Sequence, residues 1–234
     1  MQDEVTKHTK KIYDTVKNPK HTFGEKVKEV FVEIFIIVFA VTLSIWLHGW
    51  SEHRHQQKEV DKFLNNIKDD LKKDIETLTS EREEYIKSNK AYGYILSLNK
   101  FQFDSLAKLN ISIDFPVHTH GQMINSGNYE GFKSSGKIGY IENEKLQQKI
   151  LAYYQKTVPN IIEIDKIYSE LLLKAVERKI ENEGKLQSEI YTDPKFRSSI
   201  SYILLLGKNN VRVYDEIGKK DAKDIISEID NGEK

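Results

Sequence analysis

From Glu29 to Trp50 the chain reads E-V-F-V-E-I-F-I-I-V-F-A-V-T-L-S-I-W-L-H-G-W, with lysine-rich polar sequence on both sides. No other stretch is comparably apolar. Its apolar residues occupy every face rather than one stripe, unlike those of an amphipathic surface helix. About 20 residues rising ~1.5 Å each cross a hydrocarbon layer of roughly 30 Å. The pattern predicts one transmembrane helix over residues 29–50; the alternative is a buried helix of a soluble bundle. Thr42 and Ser44 soften the run from Ile34 to Leu47, and both hydroxyls can bond the carbonyl one turn earlier. Trp46 and Trp50, the only tryptophans, lie one turn apart at its C-terminal end, where interfacial aromatic anchors belong.

Beyond the span the period is helical. Val60, Leu64, Ile67, Leu71, Ile75, Leu78 and Tyr85 recur at three, four or seven among charged residues, predicting a long juxtamembrane helix from Glu52 to about Lys87. Such a stripe packs inside a bundle or forms a seam between subunits, although its spacing drifts from a strict heptad. A second apolar set, Ala91 to Leu109, predicts a hairpin returning along the first helix, weakened at Gly93. Ile111 to His120 alternates, contains Pro116 and reads as a loop or short extended segment. Five of the twelve glycines fall within Gly121 to Gly139, around a short predicted helix at Tyr129 to Ser134 that stops at Gly136. Asn143 caps the next helix, which Pro159 kinks or splits. Ile161 to Arg178 resumes it with Ile164, Ile167, Tyr168, Leu171, Leu172 and Ala175, and Glu177 to Lys185 reads as a frayed end. Asp193-Pro194 starts a helix that stops at Gly207, and Val211 to Ile229 forms a closing helix.

The fold class that follows is all-α: one N-terminal transmembrane helix, then an extramembrane helical bundle with a long juxtamembrane helix. The expected division is 1–28, a short cytoplasmic segment with a helix over Gln2 to Val16 and breakers at Pro19 and Gly24; 29–50, the span; and 51–234, the helical domain. Lys plus Arg equals Asp plus Glu, 36 each, which removes the electrostatic argument for nucleic acid. With no cysteine, disulfides, thiol catalysis and cysteine metal sites are excluded.

Positive charge sets orientation. Lys10, Lys11, Lys17, Lys20, Lys26 and Lys28 precede the span, against Arg54, Lys58, Lys62 and Lys68 after it. The bias favours a cytoplasmic N-terminus and a periplasmic C-terminal domain on a bacterial inner membrane. No small-residue cleavage pattern follows Leu47, so an uncleaved anchor is expected. Glu33 is the anomaly. An intramembrane carboxylate is a functional candidate; the structural reading places it at headgroup depth, protonated or paired with a lysine such as Lys26 or Lys28.

Two blocks carry a family resemblance. One is Glu33 to Glu52, E-I-F-I-I-V-F-A-V-T-L-S-I-W-L-H-G-W-S-E. The other is Asn128 to Leu146, N-Y-E-G-F-K-S-S-G-K-I-G-Y-I-E-N-E-K-L, with Ile150 to Tyr154 after it. Together they resemble a family of short single-pass membrane proteins from Bacteroidota with no established activity. Its members have a Glu-Ile-led span with a Trp-x-Glu exit and a Y-E-x-L-K-S-S-G block before a helix ending in Tyr-Tyr. The likeness extends from residue 24 to 160. It departs at Gly131-Phe132, where a Leu-type position is usual, and at His48-Gly49, where Asn-Asn is common. The resemblance implies the architecture and an envelope location, and no reaction.

The remaining chemistry is thin. His118-Thr-His120 and His53-Arg-His55 each offer two imidazoles where an open zinc site needs three ligands. Walker spacing and Gly-x-Ser-x-Gly are both absent. The surface block Tyr129, Glu130, Phe132, Lys133, Ser134 and Ser135 is the candidate interaction surface; its alternative is a packed corner needing glycine for tight turns. The chain therefore reads as a membrane-anchored protein for assembly, scaffolding or sensing, without catalysis, cofactor or metal. Its expected partners are the lipid bilayer and other membrane proteins or further copies of itself. The alternatives are an accessory subunit of an ion-driven membrane complex using Glu33, or a membrane-anchored enzyme.

Overall fold

The computed structural model describes residues 2–17, 23–119 and 124–232, and every regular element among them is helical. Two compact units divide the chain, Met1–Glu59 and Val60–Lys234.

The first unit holds α1 (Gln2–Lys17) and the beginning of α2 (Phe23–Ser97). Pro19, one of the two expected breakers, lies outside the described residues. The other, Gly24, sits in the first turn of α2 instead of breaking the chain. With no proline between Phe23 and Ser97, α2 has no internal stop. Gly49 and Gly93 have open space where a β-carbon would lie and are absorbed into the helix. This corrects the expected boundary: α2 continues to Ser97, and only α3 (Lys100–Lys108) is left of the expected returning arm. The break is built by Asn99. Its Oδ1 accepts from the Gln102 amide at 2.9 Å, while Gln102 Oε1 accepts from the Asn99 amide at 2.9 Å. This reciprocal capping box starts a new helix.

The second unit is a bundle. α5 (Glu144–Ala152) runs through a π turn at Tyr153–Thr157 into α6 (Val158–Glu181). Asn143 caps it as expected, accepting from the Leu146 amide at 3.1 Å. Pro159 splits nothing. It cannot donate to the carbonyl four residues back, and the preceding turn widens, with the Val158 amide reaching Tyr153 O.

Likewise α8 (Pro194–Val213) passes through a π turn at Tyr214–Gly218 into α9 (Lys219–Gly232). Asp193 caps α8 through the Phe196 amide at 2.8 Å. The expected stop at Gly207 is wrong, because this glycine lies mid-helix where α8 meets α2. α6 packs on α8, α5 on α9, and the two π turns on each other, so the two long helices run antiparallel.

The stripe of α2 from Val60 to Ile95 is buried in the same core, with Leu64 and Ile75 at its margin. Ile167, expected on the α6 core face, is 40% exposed; Ile161, Tyr168, Leu172 and Ala175 carry that face. α7 (Gln187–Thr192) was not expected. It closes one end through Tyr191, which meets Phe103 of α3 and Phe115 of the irregular 111–119 segment. At another corner α4 (Gly127–Ser134) ends as expected, with Gly136 left-handed at φ 74°.

Candidate functional site

In the first unit the apolar residues of α2 point outward. Phe31, Phe35, Phe39, Ile45 and Trp46 are each more than half exposed. Thr42 and Ser44 donate to the carbonyls of Val38 and Ala40 at 2.8 Å, so neither hydroxyl is left unsatisfied in an apolar surrounding. Trp46 and Trp50 are exposed one turn apart, and the Arg54 guanidinium lies 4.8 Å from the Trp50 ring. This helix alone among the described residues is long and apolar enough to cross a membrane.

Glu33 behaves differently from its neighbours. Its side chain is covered, and it pairs with His8 and Lys11 of α1. The expected partners were Lys26, whose side chain lies outside the described residues, or Lys28, which is exposed. Folding α1 back supplies partners that linear sequence places more than 20 residues away.

The surface block of the second unit divides. Tyr129 is fully buried, stacked on Tyr154 with centroids 4.4 Å apart, and its hydroxyl accepts from Gln155 at 2.8 Å. Phe132 stacks on Phe63 of α2 at 3.9 Å. These two residues hold a packed corner and are withdrawn from the candidate surface. Glu130, Lys133, Ser134 and Ser135 remain exposed, with the Lys133 ammonium over the Tyr129 ring at 5.4 Å. Of the histidine pairs, His118 Nε2 lies 3.7 Å from Glu81 Oε2 and His120 is outside the described residues. His53 and His55 are exposed on α2. Among the described residues no three His, Asp or Glu side chains converge as a metal site requires.

The most unusual chemistry lies inside the bundle. Asp70, Asp74, Glu81 and Asp165 are all buried. Asp165 Oδ1 accepts from the Tyr85 hydroxyl at 2.8 Å and Oδ2 from the Tyr214 hydroxyl at 2.6 Å, while Asn210 Nδ2 donates to the Tyr85 oxygen at 3.0 Å. Burial pushes the Asp165 carboxyl up to about 6, against the lowering effect of the two hydroxyls.

A second cluster joins α2 to the residues preceding α4. Asp70 accepts from Asn125 Nδ2 at 2.9 Å and Asn128 Nδ2 at 2.7 Å. Asp74 accepts from the Asn125 amide at 3.1 Å and the Tyr153 hydroxyl at 3.2 Å. Burial, joined by the like charge of Asp70, raises Asp74 to about 6. The same desolvation drives the Tyr85, Tyr153 and Tyr214 phenols well above their ordinary range, so they act as neutral donors. Asp74 and Asp165 thus sit in a closed core, each held by neutral hydroxyl donors.

These acids escaped the sequence reading, although a signal exists. Val60, Ile67, Asp74, Glu81, Ser88 and Ile95 follow one another at seven-residue intervals, and all are buried. Leu71, Leu78, Tyr85 and Tyr92 form the parallel row. Counting apolar residues alone makes the stripe drift; including its polar members makes it a strict heptad.

A helical bundle preceded by one long apolar helix, with a conspicuously acidic and tyrosine-rich core, is the class these features define. Residues 33–190 match the family of unknown function DUF6090, and the chain belongs to that family. No curated protein and no solved structure matches it.

Proposed function

We propose that the chain is a single-pass protein of a bacterial inner membrane, of the Bacteroidota type its two sequence blocks resemble. In this reading residues 1–28 are cytoplasmic, 29–50 cross the bilayer, and 51–234 form a periplasmic helical domain. The domain serves assembly, scaffolding or sensing by contacting other membrane proteins or further copies of itself, and carries out no reaction. The observation that carries the reading is the outward apolar surface of Phe31 to Trp50. An exposed apolar patch of this extent calls for lipid. The lysine excess before the span supports the orientation. Glu33 held by His8 and Lys11 favours a structural part over an ion-carrying one.

A reporter enzyme active only in the periplasm, fused after Lys234, should be active. Protection of residues 51–234 from protease added to spheroplasts would overturn the orientation. Recovery of the intact chain in the soluble fraction would overturn the anchor. Proteins that co-purify in mild detergent identify the partners.

A further inference from the structure

The four oxygens of Asp70 and Asp74 differ in what they can do when a proton arrives. Three face nitrogen donors that cannot accept: Asn128 Nδ2 at 2.7 Å, Asn125 Nδ2 at 2.9 Å and the Asn125 amide at 3.1 Å. A proton on any of those three would set donor against donor and break the contact. The fourth, Asp74 Oδ2, faces the Tyr153 hydroxyl at 3.2 Å, and a hydroxyl can turn from donor to acceptor. We propose that Asp74 Oδ2 and Tyr153 form a proton-binding site that tightens the segment 124–128 on α2 as the medium becomes acid.

The charged and titratable neighbours favour this. Asp70 lies one turn away on α2; Tyr153 and Tyr154 come from the π turn and Tyr129 from α4. Asp221 of α9 is held by the Thr157 hydroxyl at 2.7 Å and adds negative potential at Tyr153. Every formal charge among them is negative. With both carboxylates ionised, two like charges share one dry turn of helix. Burial is the larger penalty on the ionised Asp74, and one proton removes both that penalty and the repulsion while all three nitrogen donors keep their acceptors. The segment and the α4 corner behind it are thus held most firmly in acid and most loosely near neutrality. The device lies wholly within the Val60–Lys234 unit and stands whether or not the span crosses a membrane.

Hydrogen exchange of the full-length protein in detergent micelles, corrected at each pH for the intrinsic rate, tests it. Protection of the Asn125 amide and its neighbours through Tyr129 should rise roughly tenfold from pH 7.5 to pH 5, the equivalent of one pK unit. The α6 core around Tyr168 serves as the reference for global change. Asp74→Asn, which imitates the protonated acid, should be highly protected at both pH values. Tyr153→Phe, which leaves a neutral Asp74 without its acceptor, should reduce the rise. Equal protection at both pH values in the wild type, or a fall in acid, overturns the proposal. So does an unchanged tenfold rise in Asp74→Asn. Should the variants not fold, the wild-type profile alone decides.

Discussion

A β-carbon on Gly207 would lie 2.2 Å from Asn89 Oδ1, so the Asn89 side chain of α2 packs directly over this glycine of α8. On an exposed helix face, Gly→Ala gains about 1 kcal/mol from propensity. Here overpacking should reverse the sign, and Gly207→Ala should destabilise the bundle by roughly 1–3 kcal/mol. Adding Asn89→Ala removes the obstructing atoms and should cancel most of that loss. Denaturant unfolding of the four proteins of this cycle, followed in detergent, gives the coupling directly.

The buried acids set an unusual pH dependence. Asp74 and Asp165 are raised to about 6 from ordinary carboxylate values. The folded state therefore binds more protons than the unfolded state between about pH 4 and 6, and stability rises as pH falls through that window. Each group should add about 1 kcal/mol between pH 7.5 and pH 5. Lys149 and Lys145 hold Glu228 at about 2. Burial works against the charge of Asp215, but Lys219 and Arg82, each 2.5 Å away, outweigh it and hold its carboxyl low. Contributions of that kind are lost as pH falls below the ordinary carboxylate range. The unfolding midpoint should thus peak between about pH 4 and 5. Asp165→Asn should flatten the rise on its alkaline side.

Tyr214→Phe removes the 2.6 Å donor from Asp165 Oδ2 inside the core. A buried acceptor left unmatched costs roughly 1–3 kcal/mol. The ionised carboxylate needs that donor more than the neutral acid does. The loss should therefore be larger at pH 7.5 than at pH 5, as paired denaturation curves at the two pH values will read.

The helices were legible because their causes are local. The apolar run from Ile34 to Leu47, the cap at Asn143, the Asp193-Pro194 start and the stop at Gly136 each depend on a few adjacent residues. Gly207 was misleading for the opposite reason, and Gly218 is of the same kind although the helix was expected to continue through it. Gly207 accommodates Asn89, and a β-carbon on Gly218 would lie 2.9 Å from Ile161 Cδ1 and 3.1 Å from Leu78 Cδ1. Both glycines answer to helices more than 50 residues away in sequence. The acid–tyrosine pairs are equally non-local, since Tyr85 and Asp165 meet only once α2 and α6 pack. The polar heptad on α2 was visible in the sequence, and a search limited to apolar positions passed over it.

Trp46 and Trp50 provide an intrinsic depth gauge, because the chain has no other tryptophan. If residues 29–50 cross the bilayer, both rings lie near one interface. In liposomes, nitroxide lipids labelled near the headgroup should quench their emission more than lipids labelled at the chain terminus. Trp46, one turn deeper, should be the more quenched of the two by mid-chain labels, as single Trp→Phe variants will show. Strong quenching by aqueous iodide with none by either lipid label would remove the helix from the membrane.

Glu33 joins the apolar helix to α1 through His8 and Lys11, and this arrangement can be tested by exchanging charges. Glu33→Lys sets like charges together and should release α1 from the beginning of α2. Combining it with Lys11→Glu restores an opposite pair and should bring α1 back. Because the chain has no cysteine, spin labels can be placed at Tyr13 and Phe31, both exposed, without removing native thiols. The distance distribution should be narrow in the wild type, broad in Glu33→Lys and narrow again in the double exchange. Glu33→Gln keeps an acceptor for both partners but loses the charge, and should broaden the distribution only partly. An ion-carrying carboxylate behaves otherwise: Gln abolishes activity in an assembled complex and leaves α1 in place. A narrow distribution in Glu33→Lys would show that α1 is held by something other than this pair.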